Sequence, residues 1–184
     1  FLPAHEIEIQ KKLAKYSTKT EFSNALYKLR FTIGLKTPKG VRRFLEWVAE
    51  MNGNANSSNG IGAFYYAEEK IAAEMGVSLA TVERAIRWLK NRGLLVVARS
   101  WNYIDGKWGS GYKVFADSNV IDIMIKAIIA KDEKFVTETM NAINQQFDEV
   151  VRKMTGSEVE PEIIKNDEVK SNDINESNQI DRKM

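Results

Sequence analysis

The chain has 184 residues, 43% hydrophobic and 28% charged, an ordinary balance for a soluble globular fold, and no apolar run approaches the roughly 20 residues that cross a bilayer. It holds no cysteine, which excludes disulfides, thiolate metal sites and thiol nucleophiles and fits a reducing cytoplasm. The formal charge of +2 hides an asymmetry: residues 157–184 carry eight Asp or Glu against four Lys or Arg, and removing that −4 leaves +6 on residues 1–156, a basic body suited to a polyanionic partner.

No basic leader precedes an apolar stretch, so a secretory signal is left without support. Residues 5–15 have helix-forming composition but a thin apolar stripe, and read as a loosely held N-terminal arm. Phe22, Leu26, Leu29 and Ile33 recur at four, three and four, which predicts a helix over Glu21 to Ile33 docked on a core, with Gly34 as its stop. Thr37 and Pro38 open the next helix, Thr37 as N-cap and Pro38 at the first helical position, where its missing N–H costs nothing. Val41, Phe44, Leu45, Val48 and Met51 form its buried stripe. Asn52 to Gly62 is rich in Gly, Asn and Ser and reads as a loop, and Phe64 and Tyr65 as a short extended piece.

From Tyr66 to Leu95 the apolar positions Ile71, Ala72, Met75 and Val77, then Val82, Ala85, Ile86 and Leu89, describe two amphipathic helices joined by Gly76, Val77 and Ser78. Gly76 suits a left-handed residue ending the first helix, and Ser78 is a good N-cap for the second. A helix, a short Gly-containing turn and a second helix is the layout of the helix-turn-helix. At about 100° per residue the apolar residues of the second helix share one arc, and Ala80, Arg84, Arg87 and Asn91 occupy the opposite one. Guanidinium groups match phosphates and guanine edges, and an amide matches adenine, so this face can enter a major groove. Thr81 and Glu83 flank it. Trp88, on the Thr81 side, reads as core or rim packing, because a closed duplex offers no exposed ring face.

The stretch EEKIAAEMGVSLATVERAIRWLKNRGLL resembles the helix-turn-helix of bacterial winged regulators, the GntR-like type in particular, over about 30 residues. Gly76, Ser78, Thr81-Val82 and Gly93-Leu94 carry the likeness. It implies that Ser78, Thr81 and Arg84 contact phosphates or bases. Leu79 departs from the pattern, standing where many relatives place a basic residue.

Residues 94–104 and 107–116 flank Asp105-Gly106, a strong signal for a two-residue type I′ hairpin, which would be the wing. Pairing outward from that turn sets Tyr103 opposite Trp108, Arg99 opposite Tyr112 and Val97 opposite Val114. Arg99, Lys107 and Lys113 give the hairpin positive charge for phosphates or a minor groove. Trp101 and Trp108 either pack it against the body or contact DNA.

Val120 to Ile129 is apolar on nearly every side and predicts an almost wholly buried helix. Val136, Met140, Ile143, Phe147, Val150 and Met154 follow at spacings of four, three, four, three and four, the seam of a packed helix. With under three heptads the stripe reads as a bundle element or a short homodimer seam rather than a long coiled coil; we take Val136, Met140, Ile143, Phe147 and Val150 as the homodimer seam, with a protein partner docking there as the alternative. Beyond Gly156 the Asn, Ser and acid-rich composition buries too little to offset ordering entropy and reads as a disordered tail.

The expected fold is mainly α with a small β-hairpin wing (α+β), a winged helix-turn-helix with additional N- and C-terminal helices. Its expected parts are an arm and helix over 1–34, the winged domain over 35–117, oligomerising helices over 118–156 and the tail over 157–184. Catalysis is not expected. The one histidine, His5, lies in the arm, so a Ser-His-Asp triad or histidine metal cluster has no ordered imidazole. Glu68-Glu69 suits the positive end of a helix dipole, and Gly109-Ser110-Gly111 lacks the Lys-Ser/Thr ending of a phosphate loop. No metal or cofactor is expected. The expected function is sequence-specific binding of double-stranded DNA by a homodimeric transcriptional regulator in the cytoplasm, at the nucleoid or a plasmid. A plasmid or phage replication or partition protein, and an interaction adaptor on the same scaffold, are the alternatives.

Overall fold

A computed structural model describes residues 14–54, 61–98, 101–102, 107–108 and 112–155. Most of the N-terminal arm, Arg99, the Asp105-Gly106 turn, Gly109-Ser110-Gly111 and the acidic tail lie outside them. The described residues are mainly helical, with six α-helices and a small antiparallel sheet.

Helix α1 (Lys19–Phe31) starts where the Thr18 side chain accepts the Glu21 N–H, and it buries Phe22, Ala25, Leu26 and Leu29. It stops short of the predicted end. The hydroxyl and N–H of Thr32 both donate to the Lys28 carbonyl and close the helix. Ile33 therefore falls in the turn beyond and is 95% exposed instead of docked. Helix α2 (Lys39–Asn54) buries Val41, Phe44, Leu45 and Val48. Thr37 does not cap it: its hydroxyl donates to the Leu29 carbonyl at 2.6 Å and ties the loop back to α1.

Strand β1 (Ala63–Tyr65) leads into α3 (Glu68–Met75) and α4 (Leu79–Lys90). Strands β2 (Leu95–Ala98) and β5 (Tyr112–Phe115) join β1 in a sheet of order β1-β5-β2, and β3 (Trp101–Asn102) pairs with β4 (Lys107–Trp108) as a separate ladder. The chain ends in α5 (Ser118–Ile129) and α6 (Glu133–Thr155).

Strand alternation splits the sheet between two cores. Phe64, Leu95, Val97 and Phe115 face the main core under α1–α5, whereas Ala63, Tyr65, Val96, Tyr112 and Val114 face α6, which contributes Ile143, Phe147 and Val150. This corrects the dimer seam. Val136, Met140 and Phe147 are buried within the single chain, and Ile143 and Val150 are partly buried on the sheet. Heptad spacing specifies an apolar stripe but not what covers it, and a sheet with an apolar outer face claims the stripe intramolecularly.

The hairpin register also differs from the expected one. The pairs are Leu95↔Phe115, Val96↔Val114, Val97↔Lys113 and Ala98↔Tyr112, then Trp101↔Trp108 and Asn102↔Lys107. Val97 thus faces Lys113, one place from the position that Asp105-Gly106 as a two-residue turn would impose, and Asn102↔Lys107 encloses residues 103–106. Burial decides the register, because a one-residue slip would send every side chain to the other face.

Helix α5 buries Ile121, Met124, Ile125 and Ala127 but leaves Ile123 and Ile129 exposed, so it is a one-sided surface helix and not a wholly buried one. One continuous core takes residues from Tyr16 through Val136, crossing both the 34/35 and the 117/118 boundaries. Among the described residues no helix is long and apolar enough to cross a membrane.

Candidate functional site

The site is built by the α3–α4 turn. Gly76 closes α3 in the left-handed conformation (φ 70°, ψ 36°), its N–H reaching the Ala73 carbonyl while the Val77 N–H reaches Ala72 at 3.0 Å. That double closure satisfies carbonyls at the helix end with a backbone shape that glycine adopts at no steric cost. Ser78 then caps α4: its Oγ accepts the Thr81 N–H at 3.2 Å and lies 2.9 Å from Thr81 Oγ1. Two residues named as nucleic-acid contacts therefore hold each other and fix the first turn of α4.

Helix α4 buries Val82, Ala85, Ile86, Trp88 and Leu89. Ala80 and Arg87 are exposed, Thr81 and Arg84 half-buried, and Glu83 and Leu79 exposed on the far flank. The outward arc is thus the one that the 3.6-residue period assigns. Trp88 is core, and the Arg92 guanidinium lies 3.9 Å from its ring centroid while donating to the Trp88 carbonyl.

Two predicted contacts are corrected. Asn91 is not the last residue of the outward face: α4 ends at Lys90, and Asn91 caps it with its N–H on the Arg87 carbonyl, 5% exposed. Asn91 keeps helical backbone (φ −65°, ψ −13°), so the wheel gives its direction but not the cover that buries it. Lys113 is 0% exposed, and its Nζ donates to the Tyr66 carbonyl at 2.6 Å. It sits on the central strand of a sheet covered on both sides, so its ammonium serves a backbone acceptor and not a phosphate. Arg99 lies outside the described residues. Lys107 has its backbone in β4, opposite Asn102, and its side chain lies outside them.

The structure adds cations that the motif did not include. The first turn of α2 lies beside the first turn of α4: a Cβ on Gly40 would stand 3.6 Å from Thr81 Cγ2. Arg43 Nη2 reaches the Met75 carbonyl at 3.4 Å, at the end of α3. Lys39, Arg42 and Arg43 are exposed there. Their signal in the sequence is a run of basic residues ahead of an apolar stripe, and only the packing of α2 on α4 gives it a place.

Gly93, part of the motif likeness, has a packing reason. At φ 68° it lets α6 pass so close that a Cβ would stand 3.3 Å from Met140 Cβ and 3.4 Å from Met140 Cα. Among the described residues no group of three or more His, Cys, Asp or Glu could hold a metal ion. Comparison with family models, with curated proteins and with solved structures gave no match.

Proposed function

We propose that this chain binds double-stranded DNA sequence-specifically through a winged helix-turn-helix, with α4 as recognition helix, and acts as a transcriptional regulator. One observation carries the reading: α4 turns its apolar arc inward and leaves Ala80 and Arg87 exposed and Arg84 half-buried on the opposite arc, next to the exposed cations of the first turn of α2. A small residue beside two guanidinium groups allows close approach to base edges while Ser78, Thr81 and the α2 cations meet phosphates. In this reading the β2–β5 pair and the separate β3–β4 ladder serve as the wing. The likeness of the α3–α4 sequence to GntR-like regulators points the same way.

The test is selection of bound duplexes from a random pool, followed by titration against salt. A recovered consensus whose affinity falls by close to one log unit per neutralised phosphate for each log unit of salt supports the reading. Absence of duplex binding at low salt favours the adaptor. Because α6 uses its apolar stripe on its own sheet, half-site number and spacing come from the selected sequences.

A further inference from the structure

Residues 19–43 hold seven Lys or Arg against one acid, Glu21, a surplus of +6 that equals the whole surplus of residues 1–156. Glu21 is engaged, accepting the Ser118 hydroxyl at 3.1 Å, and Lys28 pairs with Asp122 at 3.0 Å. The positive charge of the body is therefore concentrated on α1, the loop after it and the start of α2. The outward side of α1 also carries two aromatic rings: Tyr27 is 59% and Phe31 54% exposed, with centroids 4.9 Å apart. The Arg30 guanidinium lies 5.0 Å from the Phe31 centroid and 6.0 Å from that of Tyr27. Lys36 is exposed in the following loop at φ 55°, pinned between buried Leu35 and buried Thr37. A lysine in the left-handed region persists only where its neighbours fix it.

We infer that this face binds single-stranded nucleic acid, with unpaired bases stacked on Tyr27 and Phe31 and the phosphates passing Arg30, Lys36 and Lys39. Unpaired bases offer the ring faces that a closed duplex hides, and each stacks on an aromatic side chain irrespective of its identity. The two rings are tilted by 56° to one another, so each offers its own face to a base, and Arg30, close to both, supplies a cation to the strand. Charge disfavours a second copy on this face, since Arg30, Lys36 and Lys39 would approach their own copies. A lipid surface fits less well, because exposed Asn24, one turn from Tyr27, and exposed Thr20, one turn further, would lose water without gaining partners. The inference goes beyond the duplex reading and uses a different helix from α4.

The experiment measures fluorescence anisotropy of a labelled oligothymidylate of about 16 nucleotides, long enough for one such site, with the full chain. The wild type should bind with a clear loss of affinity as salt rises. Tyr27→Ala and Phe31→Ala should each weaken binding roughly 5- to 150-fold, with Phe31→Tyr restoring it. Both rings are more than half exposed, so the melting temperature should hold; Lys36→Glu, on the loop, gives an independent variant that should also weaken binding. Arg84→Ala should leave oligothymidylate binding unchanged while weakening any duplex complex, which separates this inference from the α4 reading. The inference is overturned by no binding at low salt, by binding indifferent to Tyr27→Ala and Phe31→Ala, or by loss with Arg84→Ala alone. Without oligothymidylate binding, ring-dependent capture by phosphatidylserine vesicles would assign the face to lipid, and a ring-dependent mass increase in light scattering to a second copy.

Discussion

Helices α4 and α6 both carry clear apolar stripes, yet α4 packs on neighbouring helices and α6 closes the outer face of the sheet. The stripe of α4 meets α3, the helix before it, and α2, which lies a strand and a helix further back, but deciding which side faces inward requires only the local period. The stripe of α6 meets β2 and the outer sheet face, assembled from strands 30 to 80 residues earlier. Both helices reveal their free face in their own sequence. Neither period says what covers the other face, and for α6 the cover is a sheet built from earlier strands.

The largest expected effect breaks this comparison if it fails. Phe147→Ala should cost about 3–5 kcal/mol and Met140→Ala about 2–5 kcal/mol in denaturant unfolding, because both side chains are buried in the chain itself. A fully folded variant that merely halves its mass in light scattering would return the seam to a contact between copies. Arg84→Ala should lower affinity for the selected duplex by roughly 1–3 kcal/mol with no change in melting temperature. Unfolding of this variant would show that α4 turns more than its apolar arc inward.

Tyr16 tests a second long-range closure. Its hydroxyl donates to the Ala116 carbonyl at 2.7 Å, and burial pushes its phenol well above the ordinary tyrosine range, opposed by a hydrogen bond with Ser118 and reinforced by the charge of Asp117. The folded state keeps the proton where the unfolded chain releases it. Its contribution to stability is thus fully present below about pH 10 and falls as pH rises beyond that. Tyr16→Phe should lose about 1 kcal/mol at neutral pH, and its thermal unfolding should show a shallower decline between pH 9 and 11. The smallest effect sharpens the α4 side: Ser78→Ala should cost about 1 kcal/mol or less in thermal unfolding, the value of a side-chain cap on one N–H.

Several features were legible because they are local. Gly76, Ser78 and the apolar arc of α4 follow from turn chemistry and helical period, and Trp88 packs in the core as expected. Asn91 and Lys113 were not legible. A helical wheel does not say what covers a residue at the helix end, and strand alternation does not say that a lysine on a sheet's central strand is covered from above. The hairpin register was read from Asp105-Gly106 alone, whereas the pairing follows the demand that Tyr112 and Val114 face α6 while Phe115 faces the main core.

By itself the sequence determined the helical segments, the α3–α4 turn and the side of α4 left to solvent, since each depends on residues within one or two turns of one another. The tertiary structure decided what covers α6, which face of the sheet each strand residue meets, and the joining of the α2 cations to α4. Those are long-range choices, made where apolar surfaces from distant segments compete for the same cover, and no period along the chain records the winner.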